Sequence, residues 1–186
     1  MTTWPADDEA VAIARAYDFS GDIKVIAVGG GAGTLLATLL KAHPRLTGVV
    51  FDRPHVIANA ERLFKESQVV DRAAWAGGDF FAALPGGADI YLLKSVLHNW
   101  DDEAAVRLLQ CCRRAMAEGA RLLIAEPPAT PDTAADEGCR IACGRERTEA
   151  DYRALLQATG FDWLRVIATD SPLSLIEGIA VRVSTI

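Results

Sequence analysis

Fold class is indicated most strongly by residues 23–42, which have the sequence IKVIAVGGGAGTLLATLLKA. Ile23 to Val28 is a short apolar run rich in β-branched residues, a composition that predicts a buried strand. After a glycine-rich loop, Thr34 to Ala42 carries leucines at helical spacing until His43 and Pro44 end the pattern. A strand, a glycine loop and a helix in this order predict the first unit of a parallel α/β sheet.

The same alternation of strand and helix patterns continues through the chain. Helices are predicted at about His55–Lys65, at about Asp101–Ala117, and from a capping-box pattern at Thr148–Asp151 to Gly160. The further predicted strands are Thr47–Phe51, Ala73–Ala76, Ala88–Lys94, Arg121–Ala125, Trp163–Thr169 and Ser174–Val183. Only Asp170, Ser171 and Pro172 join the last two strands, and so short a turn requires an antiparallel hairpin. We therefore predict a seven-stranded, mostly parallel, Rossmann-like sheet with helices on both faces and a terminal antiparallel hairpin.

The domain organisation follows from length and pattern. The 186 residues fit a single domain on length alone. Residues 1–20 are predicted to form a helical lead-in with an apolar face at Val11, Ile13, Ala14 and Tyr17, and residues 21–186 to form the ligand-binding domain. The stretch from Ala129 to Gly144 is rich in small and polar residues and is predicted to be a loop.

Composition and charge exclude several classes of partner. The net charge is −6 and the basic residues are scattered among acids, which argues against nucleic acid. No signal-peptide pattern and no apolar run of membrane-spanning length is present, so we expect a cytoplasmic protein without a membrane partner. The four cysteines and three histidines lack zinc-site spacing, so we expect no metal site. We expect the cysteines to be reduced thiols. A redox role for Cys139 and Cys143, which would share one helix face if that segment were helical, stays open.

The glycine loop suits a nucleoside better than a dinucleotide. Gly29, Gly31 and Gly33 give G-x-G-x-G, whereas the dinucleotide fingerprint would need a glycine at Thr34, and no Gly-Lys-Ser/Thr of a phosphate loop follows. Asp52 ends the second predicted strand, where a carboxylate can accept both hydroxyls of a ribose. Asp79 and Phe80 follow the third strand at the same edge. The alternative is that these loops are plain structural turns.

One histidine is placed for acid–base chemistry. His98 follows the fourth predicted strand, at the edge where such a sheet binds ligands, and imidazole can take a proton from a phenol near neutral pH. His43 and His55 lie at a helix end and in a loop, and we expect them to be structural. On the residues alone, Glu126 at the end of the fifth strand and Glu146 before the last helix are interpreted as solvated loop acids.

The order of these motifs resembles a known family. Residues 25–33, 51–54, 78–81, 93–103 and 144–148 are similar to the S-adenosylmethionine-dependent O-methyltransferases of plant phenolics and bacterial polyketide tailoring, and the resemblance covers about Ala10 to Val183. It implies the class I methyltransferase fold and S-adenosylmethionine as cofactor, with a small aromatic or polyketide hydroxyl as substrate. It also implies site residues: the cofactor's methionine end at Gly29, its ribose at Asp52, its adenine at Asp79 and Phe80, a pocket completed by Lys94 and Trp100, and His98 as general base flanked by Glu126 and Glu146.

The sequence also departs from this family pattern. The family normally has a preceding helical domain that dimerises and covers the substrate; here we expect a homodimer or a separately encoded chain to supply that cover. Ala27 stands where the family usually carries an acid near the cofactor's amino group, and Asn99 replaces a common Asp. The segment between Pro128 and Gly144 is about half the usual length. Two alternatives therefore stay open: a methyltransferase-like protein that catalyses cyclisation, decarboxylation or hydroxylation, and a non-catalytic partner of a full-length relative.

Overall fold

The computed structural model describes residues 5–21, 23–127, 129 and 144–181, and all statements below concern these residues. Cys139, Cys143 and nearly all of the loop predicted between Ala129 and Gly144 lie outside them. Within the described residues, no helix is both long enough and apolar enough to span a bilayer.

Seven strands form one sheet, as predicted. They are β1 (Lys24–Val28), β2 (Thr47–Asp52), β3 (Ala73–Gly77), β4 (Ile90–Lys94), β5 (Arg121–Glu126), β6 (Phe161–Ala168) and β7 (Ser174–Ala180). The order across the sheet is β3-β2-β1-β4-β5-β7-β6. The first five strands pair in parallel, and β7 inserts antiparallel between β5 and β6. The terminal antiparallel hairpin is therefore confirmed.

Five α-helices are described: α1 (Ala6–Ala16), α2 (Thr34–Ala42), α3 (Ala60–Glu66), α4 (Asp102–Ala115) and α5 (Glu149–Ala158). The predicted capping box begins α5, because the Thr148 side chain accepts from the Asp151 backbone and the Asp151 carboxylate accepts from the Thr148 backbone. At the start of α4, the Asp101 side chain is an N-cap through a single bond, accepting from the Ala104 N–H at 2.8 Å.

The helix predicted at His55–Lys65 is shorter than expected. A turn and a short 3-10 helix, Ile57–Asn59, come first, and the α-helix begins only at Ala60. Pro54 lies in the turn that leaves β2, and the backbone N–H of Val56 bonds back to the Arg53 carbonyl at 2.9 Å. That turn uses the residues with which the predicted helix would have begun.

The core lies on both faces of the sheet because alternate strand residues point to opposite sides. On one face, Val25 of β1 packs with Ile13 of α1 and Leu36 of α2. On the other face, Ile26 packs with Leu108 of α4 and the rest of a second buried cluster. The result is three layers, α1–α3, sheet, and α4–α5. The carboxyl ends of β1 to β5 meet at one edge, where a doubly wound fold binds its ligand.

Candidate active site

The glycine loop lies directly against the end of β2. The Gly29 N–H donates to the Phe51 carbonyl at 2.8 Å, and the Gly31 N–H donates to Asp52 Oδ2 at 2.9 Å. Gly29 and Gly31 have φ of +64° and +60°, in the left-handed region that side chains disfavour. Asp52 also accepts from the Arg53 N–H at 2.7 Å, yet a carboxylate has about four acceptor positions in all. It therefore keeps capacity for ligand hydroxyls.

A cavity of about 230 Å³ opens over this loop, and we call it the loop cavity. Its described lining contains Gly29, Gly31, Ala27 and Lys94 but not Gly33. Gly33 instead begins α2, where an added Cβ would lie only 2.6 Å from the Phe64 ring. The structure thus places Gly29 and Gly31 at the cavity, and Gly33 at a helix-packing position behind it.

Aromatic side chains lie beside the loop. An added Cβ on Gly29 would lie 3.7 Å from the Phe80 ring and 2.9 Å from Val96, so no side chain fits between loop and ring. Trp100 meets Phe80 edge-on, with ring centroids 6.1 Å apart. Asp79 is exposed, and its carboxylate accepts from the Phe81 N–H at 2.9 Å, which holds the turn that carries Phe80.

Lys94, at the end of β4, is paired with a residue to which the sequence pattern assigned no role. Its Nζ lies 2.6 Å from Glu9 Oε2, and both side chains are only 18% exposed. Glu9 belongs to α1, which the sequence identified only as a helical lead-in. Glu9 lines a second cavity, described next, so the pair stands between the two cavities.

His98 and two of its predicted partners line this second cavity, which has a volume of about 320 Å³ and is called the histidine cavity. His98 Nδ1 lies 2.7 Å from Glu126 Oε2, and Glu126 is fully buried. The other carboxylate oxygen, Oε1, accepts from the Leu97 N–H at 2.9 Å. Glu146 is exposed and lines the same cavity. The structure therefore brings together the three residues for which the resemblance implied catalysis.

Electrostatics favour the charged form of this imidazole. The hydrogen bond to Glu126 raises the pKa of His98 above its ordinary value of 6.5, and the negative charges of Glu126 and Glu146 act in the same direction. Burial and the positive charge of Arg147 oppose them. An ionised carboxylate can only accept, so Nδ1 carries the proton of the neutral ring. Nε2 is then the nitrogen that can take a proton from a ligand.

Arg147 holds the turn that carries His98, and the sequence pattern indicated no function for it. It is 1% exposed and donates to the Leu97 carbonyl at 2.8 Å and the Trp100 carbonyl at 2.9 Å, on either side of His98. Its Nη2 also pairs with Asp102 at 2.9 Å. The Arg145 N–H donates to the His98 carbonyl at 3.0 Å. The sequence signal for Arg147 was its position in the motif of residues 144–148, in which only Glu146 had been given a catalytic role.

Fold and site together define a class: a Rossmann-like domain of the methyltransferase type, with a glycine-lined loop cavity near a carboxylate-supported histidine. The comparison with protein families identifies the family within that class. The profile of the O-methyltransferase domain family matches residues 9–162. The chain belongs to this family.

Individual relatives are similar over nearly all of the chain. It is 39% identical over 181 residues to the phenazine O-methyltransferase PhzM of Lysobacter antibioticus, covering 90% of this chain and 51% of that protein. It is 41% identical over 180 residues to the O-demethylpuromycin-O-methyltransferase of Streptomyces alboniger, covering 90% of this chain and 48% of that protein. The chain therefore spans about half the length of the curated relatives it matches.

Among solved structures, a similar one is an O-methyltransferase from neocarzinostatin biosynthesis, in complex with S-adenosylmethionine and 2-hydroxy-5-methyl naphthoic acid. Its TM-score is 0.81 at 35% identity, and the match covers 91% of this chain and 52% of that one. The Rossmann-like methyltransferase fold predicted from the sequence is thus shown by strand order and by structural neighbours alike.

Proposed function

We propose that this chain is the catalytic domain of an S-adenosylmethionine-dependent O-methyltransferase that acts on a hydroxyl of a small aromatic or polyketide metabolite. The observation that carries the proposal is the 2.7 Å contact between His98 Nδ1 and the buried Glu126, in a cavity next to the glycine loop. Family membership, and relatives named for phenazine and puromycin-type methylation, support the substrate class.

The residues that line the loop cavity, together with Asp52, Phe80 and Trp100 outside its lining, fit this cofactor. Gly29 and Gly31 leave backbone accessible where a side chain would obstruct, Asp52 retains acceptor capacity for a ribose, and Phe80 and Trp100 offer flat surface for an adenine. Lys94 supplies a positive charge for a carboxylate. When bound, S-adenosylmethionine supplies an electrophilic methyl group on a sulfonium. Asp79 is proposed to act at the adenine end, and Gly33 to act indirectly by fixing where α2 begins.

The protein's own chemical task is then proton removal and positioning. His98 Nε2 takes the proton from the substrate hydroxyl, while Glu126 fixes the ring tautomer and stabilises the imidazolium that forms. Glu146 adds negative charge at the same cavity. Burial of Glu126 strengthens its stabilisation of the imidazolium, because a carboxylate removed from water interacts more strongly with its partner.

The test is transfer of an isotopic label from the cofactor methyl to product, over a panel of phenolic and polyketide hydroxyl compounds. We expect labelled product from the wild-type chain and a loss of about 10²- to 10⁴-fold in His98→Gln, with affinity for S-adenosylhomocysteine retained. His43→Gln is the matched control, because His43 caps α2 and contacts the Ala14 carbonyl at 3.1 Å, away from both cavities. We expect that variant to retain label transfer.

Two outcomes would contradict the proposal. Substrate consumed without label in the product would favour the cyclase, decarboxylase or hydroxylase alternative. Equal label transfer in wild type and His98→Gln would show that His98 is not the general base. The rate of methyl transfer would then come from positioning of the substrate and cofactor.

We also propose a second copy or a second chain as partner, and a cytoplasmic location. The exposure of His98 supports the proposal of a partner. Its side chain is 27% exposed, whereas the proposed reaction needs a site from which water is excluded. The location is supported by Cys111 and Cys112, which are buried as free thiols, as in a reducing compartment.

A further inference from the structure

The ion pair between Glu9 and Lys94 occupies the boundary between the two cavities. Lys94 lines the loop cavity, Glu9 lines the histidine cavity, and their charged atoms are 2.6 Å apart. Asp7 and Asp8, which share the first turn of α1 with Glu9, are exposed. Acids in a first turn usually serve the helix dipole from solvent, whereas Glu9 is turned inward and only 18% of its side chain is exposed.

The loop cavity has a charge imbalance for the ligand proposed above. Among the described residues that line it, Lys94 carries the only formal charge, and the end of β1 presents the methyl group of Ala27. An amino-acid head group carries both an ammonium and a carboxylate, and each needs a partner of opposite sign when it leaves water. Lys94 can serve the carboxylate. The ammonium lacks an acid in the loop-cavity lining itself.

We infer that Glu9 binds the ammonium group of the cofactor's methionine end, so that an acid from α1 replaces the one missing at Ala27; this inference rests on the proposed function. The exchange is electrically balanced: one protein ion pair becomes two pairs with the zwitterion, and no charge is left unpaired in a partly buried site. Glu9 is held in place because Ala10, Ile13 and Ala14 anchor α1 in the core.

Calorimetric titration with two ligands tests this role separately from catalysis. The first ligand is S-adenosylhomocysteine, and the second is its analogue in which hydrogen replaces the α-amino group. For Glu9→Gln we expect affinity for S-adenosylhomocysteine to fall on the order of 10- to 100-fold, the value of a charged hydrogen bond. Affinity for the deaminated analogue should stay within about twofold of wild type, because the lost partner is absent from that ligand.

Asp8→Asn is the matched control, since Asp8 is an exposed acid in the same helical turn, and both ligands should bind it as they bind wild type. Equal weakening of both ligands in Glu9→Gln, or no weakening of either, would overturn the inference and leave Glu9 as a residue that attaches α1 to β4. A wild-type chain that bound neither ligand would overturn the proposed function, and the inference with it.

Discussion

The protonation state of His98 depends on a carboxylate that has no exposed surface. Glu126 accepts from His98 Nδ1 at 2.7 Å with one oxygen and from the Leu97 N–H with the other. Because both oxygens bond to one short stretch of chain, this carboxylate sets both the position of the ring and its affinity for a proton. Charge-assisted bonds of this kind are about twice as strong as neutral ones. His98 is therefore part of a pair with Glu126 and not a lone imidazole.

A prediction at this scale concerns the pKa of His98, measured by NMR titration of the imidazole. With three histidines in the chain, the His98 signal is assigned as the one absent from His98→Gln. Wild-type His98 should titrate above 6.5, and Glu126→Gln should lower that pKa because the main cause of its elevation is removed. Glu118→Gln, an exposed acid before β5, is the control and should leave the pKa unchanged.

The raised pKa of His98 gives label transfer and folding stability opposite dependences on pH. A base must be neutral to act, so label transfer should rise as pH increases through the raised pKa, and the rise should move to lower pH in Glu126→Gln. For stability the direction is opposite. The protonated, paired His98 contributes fully below its unfolded pKa of about 6.5, and this contribution is lost as pH rises through the folded value. A Glu126→Gln titration identical to wild type would contradict the assigned pair.

At the scale of elements, the turn after β4 is held by the segment that leads into α5. Ser95 adopts φ of +55°, a left-handed conformation uncommon for a non-glycine residue, and its N–H donates to the Ala125 carbonyl at 3.0 Å. The 3-10 helix Leu97–Asn99 follows, with Arg147 bonded to the carbonyls of Leu97 and Trp100. Two connections, after β4 and before α5, thus form one unit around His98.

This arrangement predicts that Arg147→Lys disturbs the pair of His98 and Glu126 without removing a charge. A lysine ammonium cannot reach both carbonyls and Asp102 as the planar guanidinium does, so buried acceptors lose partners. The unfolding free energy should fall by about 2–4 kcal/mol, measured by denaturant titration. The pKa of His98 should also move back toward 6.5, because the Glu126 contact loosens while the nearby positive charge remains.

The pKa change distinguishes positioning from stability alone. Arg153→Lys, an exposed arginine on α5 that pairs with Glu149, is the control and should change neither quantity appreciably. An Arg147→Lys chain with reduced stability but an unchanged His98 pKa would make Arg147 a structural residue only.

Elements with strong local signals could be predicted from the sequence, whereas contacts between distant segments could not. Helix α2 begins and ends where predicted, because Gly33 precedes it and Pro44 follows it, and the Thr148–Asp151 capping box is likewise a local pattern. Glu9 and Lys94 lie far apart in sequence, so no periodicity links them. Arg147 is similar: an arginine near a loop resembles a solvated charge until the fold brings the carbonyls of another turn around it.

At the scale of the whole molecule, the same edge of the sheet carries the loop cavity and the histidine cavity, and α1 bridges them. Helix α1 packs on α2 and contributes Glu9 to the boundary between the cavities, so the residues predicted as a lead-in are built into the site. The division of the chain at residue 20 stays a prediction. The described surface also exposes apolar residues at both outer strands, Trp75 on β3 and Leu164 and Val166 on β6.

The exposure of His98 bears on how the active species is assembled. Methyl transfer to an oxygen nucleophile benefits from exclusion of water, yet 27% of the His98 side chain is exposed. We expect a second copy of this chain, or a separately encoded chain, to cover the histidine cavity in the active species. Light scattering on the purified chain should then show a homodimer, and label transfer per chain should increase with protein concentration as the dimer forms.

Affinity for S-adenosylhomocysteine provides the internal control, because the loop cavity is lined within one chain and should bind its ligand equally at low and high concentration. A monomer that is inactive alone and gains label transfer when a second chain is co-expressed would favour the separately encoded partner over the homodimer. A monomer whose label transfer per chain is high and independent of concentration would contradict both forms of assembly. In that case, His98 would have to be shielded from water by this chain and the bound ligands alone.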